Sequence, residues 1–190
     1  MVSFGECYNQ TIKWNHFCGG AIISSFCVVT AAHCFFGHGD YFTRTKIRVG
    51  DQNFSSTADD YFSRTYEIRT IIKHPGYRRG LPRNDLALVF TKTEIEFNVK
   101  TNFIDLPSAN NPIIDVNTNQ SAKFSGWGCF NGSNIFSDAL LSTNYTIYTG
   151  KYCGQQFRSK ALKHHLENTT IIYCAGTDVS QSQVIEYVVQ

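Results

Sequence analysis

One histidine stands at the end of an apolar segment, in a setting that suits proton transfer. His33 closes the turn Ala31-Ala32-His33-Cys34, directly after the strand candidate Val28-Val29-Thr30. A general base must be held in place and still be reached from outside, and a turn at the edge of a β-layer meets both demands. A lone histidine is more often structural or merely exposed than catalytic. The setting therefore makes His33 a candidate base, and the residue type alone does not.

A carboxylate would be the natural partner of such a base. Asp85 follows Asn84 and precedes the apolar run Leu86-Ala87-Leu88-Val89. An acid in that position is usually a turn residue or an exposed strand end. The sharper interpretation is a partly buried carboxylate that fixes the tautomer of a neighbouring histidine and stabilises its cation. The residues alone leave both interpretations open.

Metal and cofactor chemistry find little support. The seven cysteines include no paired C-x-x-C knuckle, so a structural zinc site is not expected. Segment 51–60 contains acids but no convincing calcium cage. The side chains of His164 and His165 would diverge by about 100° on a helix. Trp127, between glycines, fits a core position better than a ligand platform. We expect no metal and no cofactor.

Short β-prone segments must position the candidate residues. Ile, Val, Thr and the aromatic residues far outnumber Leu and Ala, which favours strands over helices. Turn signals, among them the pair Gly19-Gly20, separate the strand candidates. These candidates are 17–23, 27–30, 46–49, 66–73, 86–91, 121–127, 141–148 and 171–175. A helix is predicted over 151–166. The apolar segment 184–189 is expected to pair with a sheet edge or to promote aggregation.

Several motifs, in order and at matching spacing, resemble those of the trypsin/chymotrypsin-like serine proteases. They are Cys18-Gly19-Gly20-Ala21-Ile22-Ile23, Val28-Val29-Thr30-Ala31-Ala32-His33-Cys34, Asn84-Asp85-Leu86-Ala87-Leu88, Ser125-Gly126-Trp127-Gly128 and Tyr173-Cys174-Ala175-Gly176. The resemblance implies an all-β, trypsin-like double antiparallel β-barrel with one short intermediate helix. Residues 101–119 are polar and turn-rich and contain Pro107 and Pro112, so they are the expected inter-barrel linker. We expect a first barrel over residues 1–100 and a partial second barrel over 120–190.

By this resemblance His33 is the general base and Asp85 is the acid that orients it. The family's nucleophilic serine lies inside Gly-Asp-Ser-Gly-Gly, and that motif is absent from the sequence. Ser180 and Ser182 lack the flanking glycines whose backbone N–H groups form the oxyanion hole. Met1-Val2-Ser3-Phe4 matches the first barrel strand, inside the family's mature amino terminus. We therefore expect an incomplete second barrel and a chain that is inactive as written.

Cysteines and glycosylation sequons indicate an oxidising compartment. By the same resemblance Cys18 pairs with Cys34 and Cys153 with Cys174, while free thiols are the alternative. Bridges among the three other cysteines stay open: Cys7, Cys27 and Cys129. Six N-x-S/T sequons exceed the about 2.4 expected by chance. They start at Asn9, Asn53, Asn119, Asn131, Asn144 and Asn168. No signal peptide precedes Cys7, yet both counts predict a secreted glycoprotein.

Composition excludes several classes of protein. The 17 Lys+Arg and 15 Asp+Glu give a net charge of +2, and 42% of the residues are hydrophobic. Disordered chains combine low hydrophobicity with high net charge, so this chain should fold. Its weak charge predicts no nucleic-acid binding, and no apolar stretch is long enough to span a membrane. We expect a monomer whose partners are protein or peptide substrates, or protease inhibitors.

Two functions fit these observations. The favoured hypothesis is a fragment or incomplete product of a secreted serine-type endopeptidase, because the histidine and aspartate motifs are intact. The alternative is a non-catalytic serine protease homologue that acts as a binding or regulatory module.

Overall fold

A computed structural model shows an all-β protein. It describes residues 1–8, 13–35, 44–56, 61–81, 83–106, 120–129, 136–149, 173–176 and 186–189. The strands within these ranges are β1 (Val2–Tyr8), β2 (Lys13–Ser24), β3 (Cys27–Thr30), β4 (Lys46–Val49), β5 (Arg64–Lys73), β6 (Ala87–Thr91), β7 (Gln120–Gly126), β8 (Leu141–Thr149), β9 (Tyr173–Gly176) and β10 (Glu186–Val189). A 3₁₀ helix, Ala32–Phe35, follows β3. The predicted helix over 151–166 lies outside the described residues.

Six strands close into a barrel in the order β1-β2-β3-β6-β5-β4, and each is antiparallel to its neighbours. Alternation explains why the short segments become strands. In β4, Ile47 and Val49 are buried while Lys46 and Arg48 are only partly so. A closed barrel has no free edge, so every one of these strands is paired on both sides.

The barrel core consists of aliphatic and aromatic side chains from all six strands. The large side chains that are almost fully buried include Val2, Phe4, Ile22, Val28, Ile47, Val49, Val89 and Ile95. Burial of each such side chain contributes about 1.5–3 kcal/mol. The rings of Phe4 and Phe35 meet edge to face with their centroids 5.4 Å apart. Because Phe35 ends the 3₁₀ helix, this contact ties the helix to the core.

The long strand β2 corrects one expectation from the sequence. The Gly19-Gly20 pair lies within β2 and does not form a turn, so that prediction was wrong. The reason is close packing: a Cβ at Gly20 would lie 2.9 Å from the ring of Phe4 and 2.9 Å from the carbonyl oxygen of Val29. Glycine here permits a close approach of strand to core.

The chain divides into two compact units, the first of which contains the barrel. The second contains most of a four-stranded sheet in the order β10-β9-β8-β7. β10 comes from the apolar segment near the carboxyl end and pairs antiparallel with β9. That segment therefore adds to a sheet edge, one of the two outcomes expected from its sequence. The limits predicted for barrels and linker remain predictions, and residues 107–119 lie outside the described part of the chain.

Candidate active site

His33 is exposed on an otherwise buried 3₁₀ helix, Ala32–Phe35. Its neighbour Cys34 is bonded to Cys18 of β2 by a disulfide. The helix is thus fixed to the barrel by a covalent bond and by apolar packing, while the imidazole faces outward. This is the setting that a general base requires.

Both carboxylate oxygens of Asp85 contact His33. Oδ2 lies 2.7 Å from Nδ1 of the imidazole, and Oδ1 accepts the backbone N–H of His33 at 2.8 Å. A carboxylate can only accept hydrogen bonds, so Nδ1 carries the proton and Nε2 of the neutral ring keeps its lone pair. The His33 side chain is 61% exposed and that of Asp85 27% exposed. The outer nitrogen of an oriented, accessible imidazole is therefore available to take a proton.

Strand pairing brings together two residues that are 52 positions apart. β3 pairs with β6, and Thr30 lies opposite Ala87. His33 follows the end of β3 and Asp85 precedes the start of β6, so the antiparallel register places both at one end of the barrel. Asn84 has a φ of 60°, in the left-handed region that asparagine tolerates better than most residues.

Three residues of types that can ligate a metal lie together at this site, but two of them are not in the form that ligates one. Single ligand atoms of Cys18, His33 and Cys34 lie within 4.8 Å of one another. The two sulfurs are bonded to each other, however, and a metal would need them as thiolates. Nε2 of His33 lies 3.8 Å from Sγ of Cys34. The cluster is a disulfide beside a histidine.

In segment 51–60, where the sequence offers no convincing calcium cage, Asp51 pairs with Arg48 at 2.7 Å.

A second histidine belongs to a hydrogen-bonded chain that sequence reasoning missed. Nε1 of Trp14 donates to Oγ of Ser3 at 2.7 Å, and that Oγ lies 2.7 Å from Nδ1 of His16. Ser3 and Trp14 are buried. Burial also lowers the pKa of His16 to about 4. The one available signal was a polar residue, Ser3, between the apolar residues Val2 and Phe4.

Aromatic rings surround His16 on several sides. Its ring centroid lies 5.5 Å from that of Trp127 and 5.9 Å from those of Phe54 and Phe136. Phe54 and Trp127 stack at 4.9 Å. Trp127 is 2% exposed, which confirms its expected place in the core. Its Nε1 has no hydrogen-bond partner within the described ranges.

The other cysteines are only partly described. Cys27 is buried and Cys129 is exposed, and both are free thiols, so they do not bridge each other. Burial raises the pKa of the Cys27 thiol, which makes it a small apolar side chain rather than a nucleophile. Cys153 lies outside the described residues, and so do the side chains of Cys7 and Cys174.

Two of the six sequon asparagines have described side chains. Asn144 is exposed on β8. Asn53 is half-buried, and its Oδ1 accepts a hydrogen bond from Oγ of Ser55 at 2.8 Å. The other sequon asparagines lie outside the described residues: Asn9, Asn119, Asn131 and Asn168.

Comparison with known proteins agrees with this geometry. The family model described as Trypsin matches residues 5–185. The chain belongs to the trypsin family, as the motifs indicated. A trypsin of Xenopus laevis is 30% identical over 163 residues, covering 85% of this chain and 58% of that protein. The clotting factor G beta subunit of Tachypleus tridentatus is 27% identical over 84% of this chain and 50% of its own length. Trypsin I-P1 of Gallus gallus is 27% identical, with 75% and 52% covered.

The chain spans about half the length of these curated relatives, from 50% to 58%. Among its described residues there is no helix with the length and apolar character needed to cross a bilayer.

Proposed function

We propose that this chain is part of a secreted serine-type endopeptidase and supplies its general base and orienting acid. The two-point attachment of Asp85 to His33 supports this most directly. Nε2 of His33 takes the proton of a serine hydroxyl as that oxygen attacks a peptide carbonyl, and then gives the proton to the leaving amine. Asp85 keeps Nδ1 protonated and stabilises the imidazolium that forms.

The 190 residues contain no Gly-Asp-Ser-Gly motif, and so they supply neither that serine nor its oxyanion hole. Loss of the nucleophile alone lowers the rate of a comparable enzyme by about 10⁶. We propose that the 190-residue chain by itself does not hydrolyse peptide bonds.

The compartment and the partners are inferred from weaker observations. The Cys18–Cys34 disulfide, the excess of sequons and the family support a secreted glycoprotein. The partners would be protein or peptide substrates, or protease inhibitors, and the chain would act as a monomer.

The decisive test begins with the transcript. Sequencing past the codon for Gln190 should find an in-frame segment that encodes Gly-Asp-Ser-Gly-Gly. The extended protein should then hydrolyse peptide esters, and Asp85→Asn should lower kcat/KM by about 10⁴ because the histidine would adopt the wrong tautomer. The exposed acid Asp105 offers a matched control, and Asp105→Asn should leave kcat/KM unchanged.

The His33–Asp85 pair can also be tested without turnover. Proton NMR of the 190-residue chain should show a slowly exchanging Nδ1 proton of His33 that Asp85→Asn removes and Asp105→Asn retains. Hydrolysis by the 190-residue chain that His33→Ala abolishes would contradict its proposed inactivity. A locus without any Gly-Asp-Ser-Gly segment would favour the second candidate, a non-catalytic homologue that binds inhibitors or other proteases.

A further inference from the structure

The last residue of β5 and the start of the segment that follows it concentrate positive charge. Residues 73–79 carry three of the 17 Lys+Arg of the chain and none of its 15 Asp+Glu. The rest of the chain then has 14 basic against 15 acidic residues and is nearly neutral. The three cations, Lys73, Arg78 and Arg79, are exposed, as is His74. We call residues 73–79 the basic loop.

Two hydrogen bonds fix the start of the basic loop beside the His33–Asp85 pair. Nζ of Lys73 donates to the carbonyl oxygen of Phe35 at 2.6 Å. The backbone N–H of His74 donates to the carbonyl oxygen of Leu86 at 2.8 Å. Phe35 comes two residues after His33, and Leu86 directly follows Asp85. The loop therefore starts against both segments that supply the candidate catalytic groups.

Internal hydrogen bonds give the basic loop a defined shape. The backbone N–H of Tyr77 donates to the carbonyl oxygen of His74 at 2.9 Å, and that of Gly76 donates to Nδ1 of His74 at 3.0 Å. Nη1 of Arg78 donates to the carbonyl oxygens of Pro75 and Tyr77 at 3.2 and 2.9 Å. The Arg78 guanidinium is thus held against the loop, which lowers the entropy lost when it meets an anion.

Tyr77 links the charge of the loop to that of Asp85. Burial and the negative charge of Asp85 raise the pKa of the Tyr77 phenol, while Arg79 opposes that rise. The Tyr77 side chain also packs against the barrel core. The phenol of Tyr77 is thus anchored on the core and feels charges of opposite sign from Asp85 and Arg79.

We propose that the basic loop binds acidic side chains of a peptide or inhibitor segment that lies across His33. This deepens the proposed function, and rests on it, by naming a class of substrate. Both oxygens of Asp85 already contact His33, and the loop itself contains three cations and no carboxylate, so the loop carries net positive charge. A short acidic peptide matches a loop of three cations, whereas a long polyanion needs a longer basic track than residues 73–79 themselves offer.

The test is peptide binding to the purified 190-residue chain, measured by fluorescence anisotropy. The probes are a labelled octapeptide with four glutamates and the same peptide with four glutamines. The glutamate peptide should bind about threefold to tenfold more tightly, since exposed charge pairs each contribute modestly. The preference should shrink between 0.05 and 0.3 M salt, because salt screens such pairs.

Charge variants show which residues cause the preference for the glutamate peptide. Arg78→Gln/Arg79→Gln should abolish it, while Arg78→Lys/Arg79→Lys should retain most of it. Arg64→Gln/Lys100→Gln removes two exposed cations outside the loop and should change nothing. Equal binding of both peptides by the unmodified chain, or equal losses in the loop and control variants, would overturn the inference. A further result would also overturn it: heparin displaces the glutamate peptide equally well from the unmodified chain and from the Arg78→Gln/Arg79→Gln variant. The preference would then belong to a general polyanion surface and not to the loop.

Failure of the proposed function would look different. An extended chain without His33-dependent hydrolysis, but with the acidic preference intact, would refute the endopeptidase and leave a binding module with the same loop. Normal hydrolysis with no preference for acidic residues near the cleaved bond would refute the role of the loop alone.

Discussion

Two histidines of the first barrel, His16 and His33, make hydrogen bonds of the same length in opposite surroundings. Nδ1 of His33 lies 2.7 Å from a carboxylate oxygen of Asp85, and Nδ1 of His16 lies 2.7 Å from the hydroxyl of Ser3. The His33 side chain is 61% exposed. His16 is half-buried among aromatic rings, and burial lowers its pKa to about 4.

The difference shows that surroundings, and not bond length, decide what a histidine can do. His33 has a carboxylate partner and an exposed ring. Burial lowers the pKa of His16 to about 4 and so keeps it neutral at physiological pH. Trp14 can only donate to Ser3, which leaves Ser3 able to donate its own proton to neutral His16. The exposed ring of His33 can be reached from outside, whereas the surroundings of His16 oppose a positive charge.

The largest stability effect should come from the disulfide behind His33. Cys18→Ala/Cys34→Ala opens a loop with a sequence separation of 16 and should lower the free energy of unfolding by about 3 kcal/mol. Urea denaturation measures this loss. The Nδ1 proton signal of His33 should weaken as well, because Cys34 is its neighbour in the 3₁₀ helix.

Cys129→Ala provides the matched control, since it removes an exposed free thiol and no bridge. It should leave both the unfolding free energy and the His33 signal unchanged. A double variant that loses less than about 1 kcal/mol would mean that apolar packing alone holds the His33 helix.

The next largest effect should be a pH dependence of stability due to His16. Its pKa is about 4 in the folded chain and about 6.5 when unfolded, so the unfolded state binds more protons between those values. The stability contribution is therefore present above pH 6.5 and is lost as the pH falls towards 4. Because the ring is partly hydrated, we expect a loss of roughly 1–2 kcal/mol, less than the full shift implies.

The chain has two tryptophans, Trp14 and Trp127, and both contact this region, so their fluorescence reports it directly. His16→Gln should flatten the pH dependence of the unfolding midpoint between pH 4 and 6.5. Asp105→Asn, at an exposed acid outside this region, should not. A wild-type slope that survives in His16→Gln would assign the effect to other groups.

The sequence predicted the short alternating strands best. The limits of β3 and β4 were predicted to the residue. β4 alternates charged and apolar residues, whereas β3 is a short, mostly apolar run that is largely buried. β2 was harder to read, because Gly20 permits close packing while the Gly19-Gly20 pair carries the signature of a turn. The local sequence pattern predicts well which residues are buried. It predicts poorly where a strand comes unusually close to the core.

The two histidines were not equally predictable. His33 and Asp85 stand in recognisable motifs, although only the β3–β6 register shows how residues 52 positions apart meet. His16 depends on the pairing of β1 with β2 and on rings from residues 54, 127 and 136. No local pattern encodes contacts among such distant parts of the chain.

The smallest effect should come from the backbone that presents Asp85 to His33. Asn84 has a φ of 60°, which costs a residue with a Cβ about 1–2 kcal/mol more than glycine, and asparagine less. Asn84→Ala should therefore lower the unfolding free energy by about 1 kcal/mol relative to Asn84→Gly. Both variants remove the amide side chain, so their difference isolates the backbone. The His33 Nδ1 proton signal should persist in the glycine variant and weaken in the alanine variant, whereas the His16 region, read by tryptophan fluorescence, should not change. Equal stability and equal His33 signals in the two variants would show that the left-handed conformation does not position Asp85.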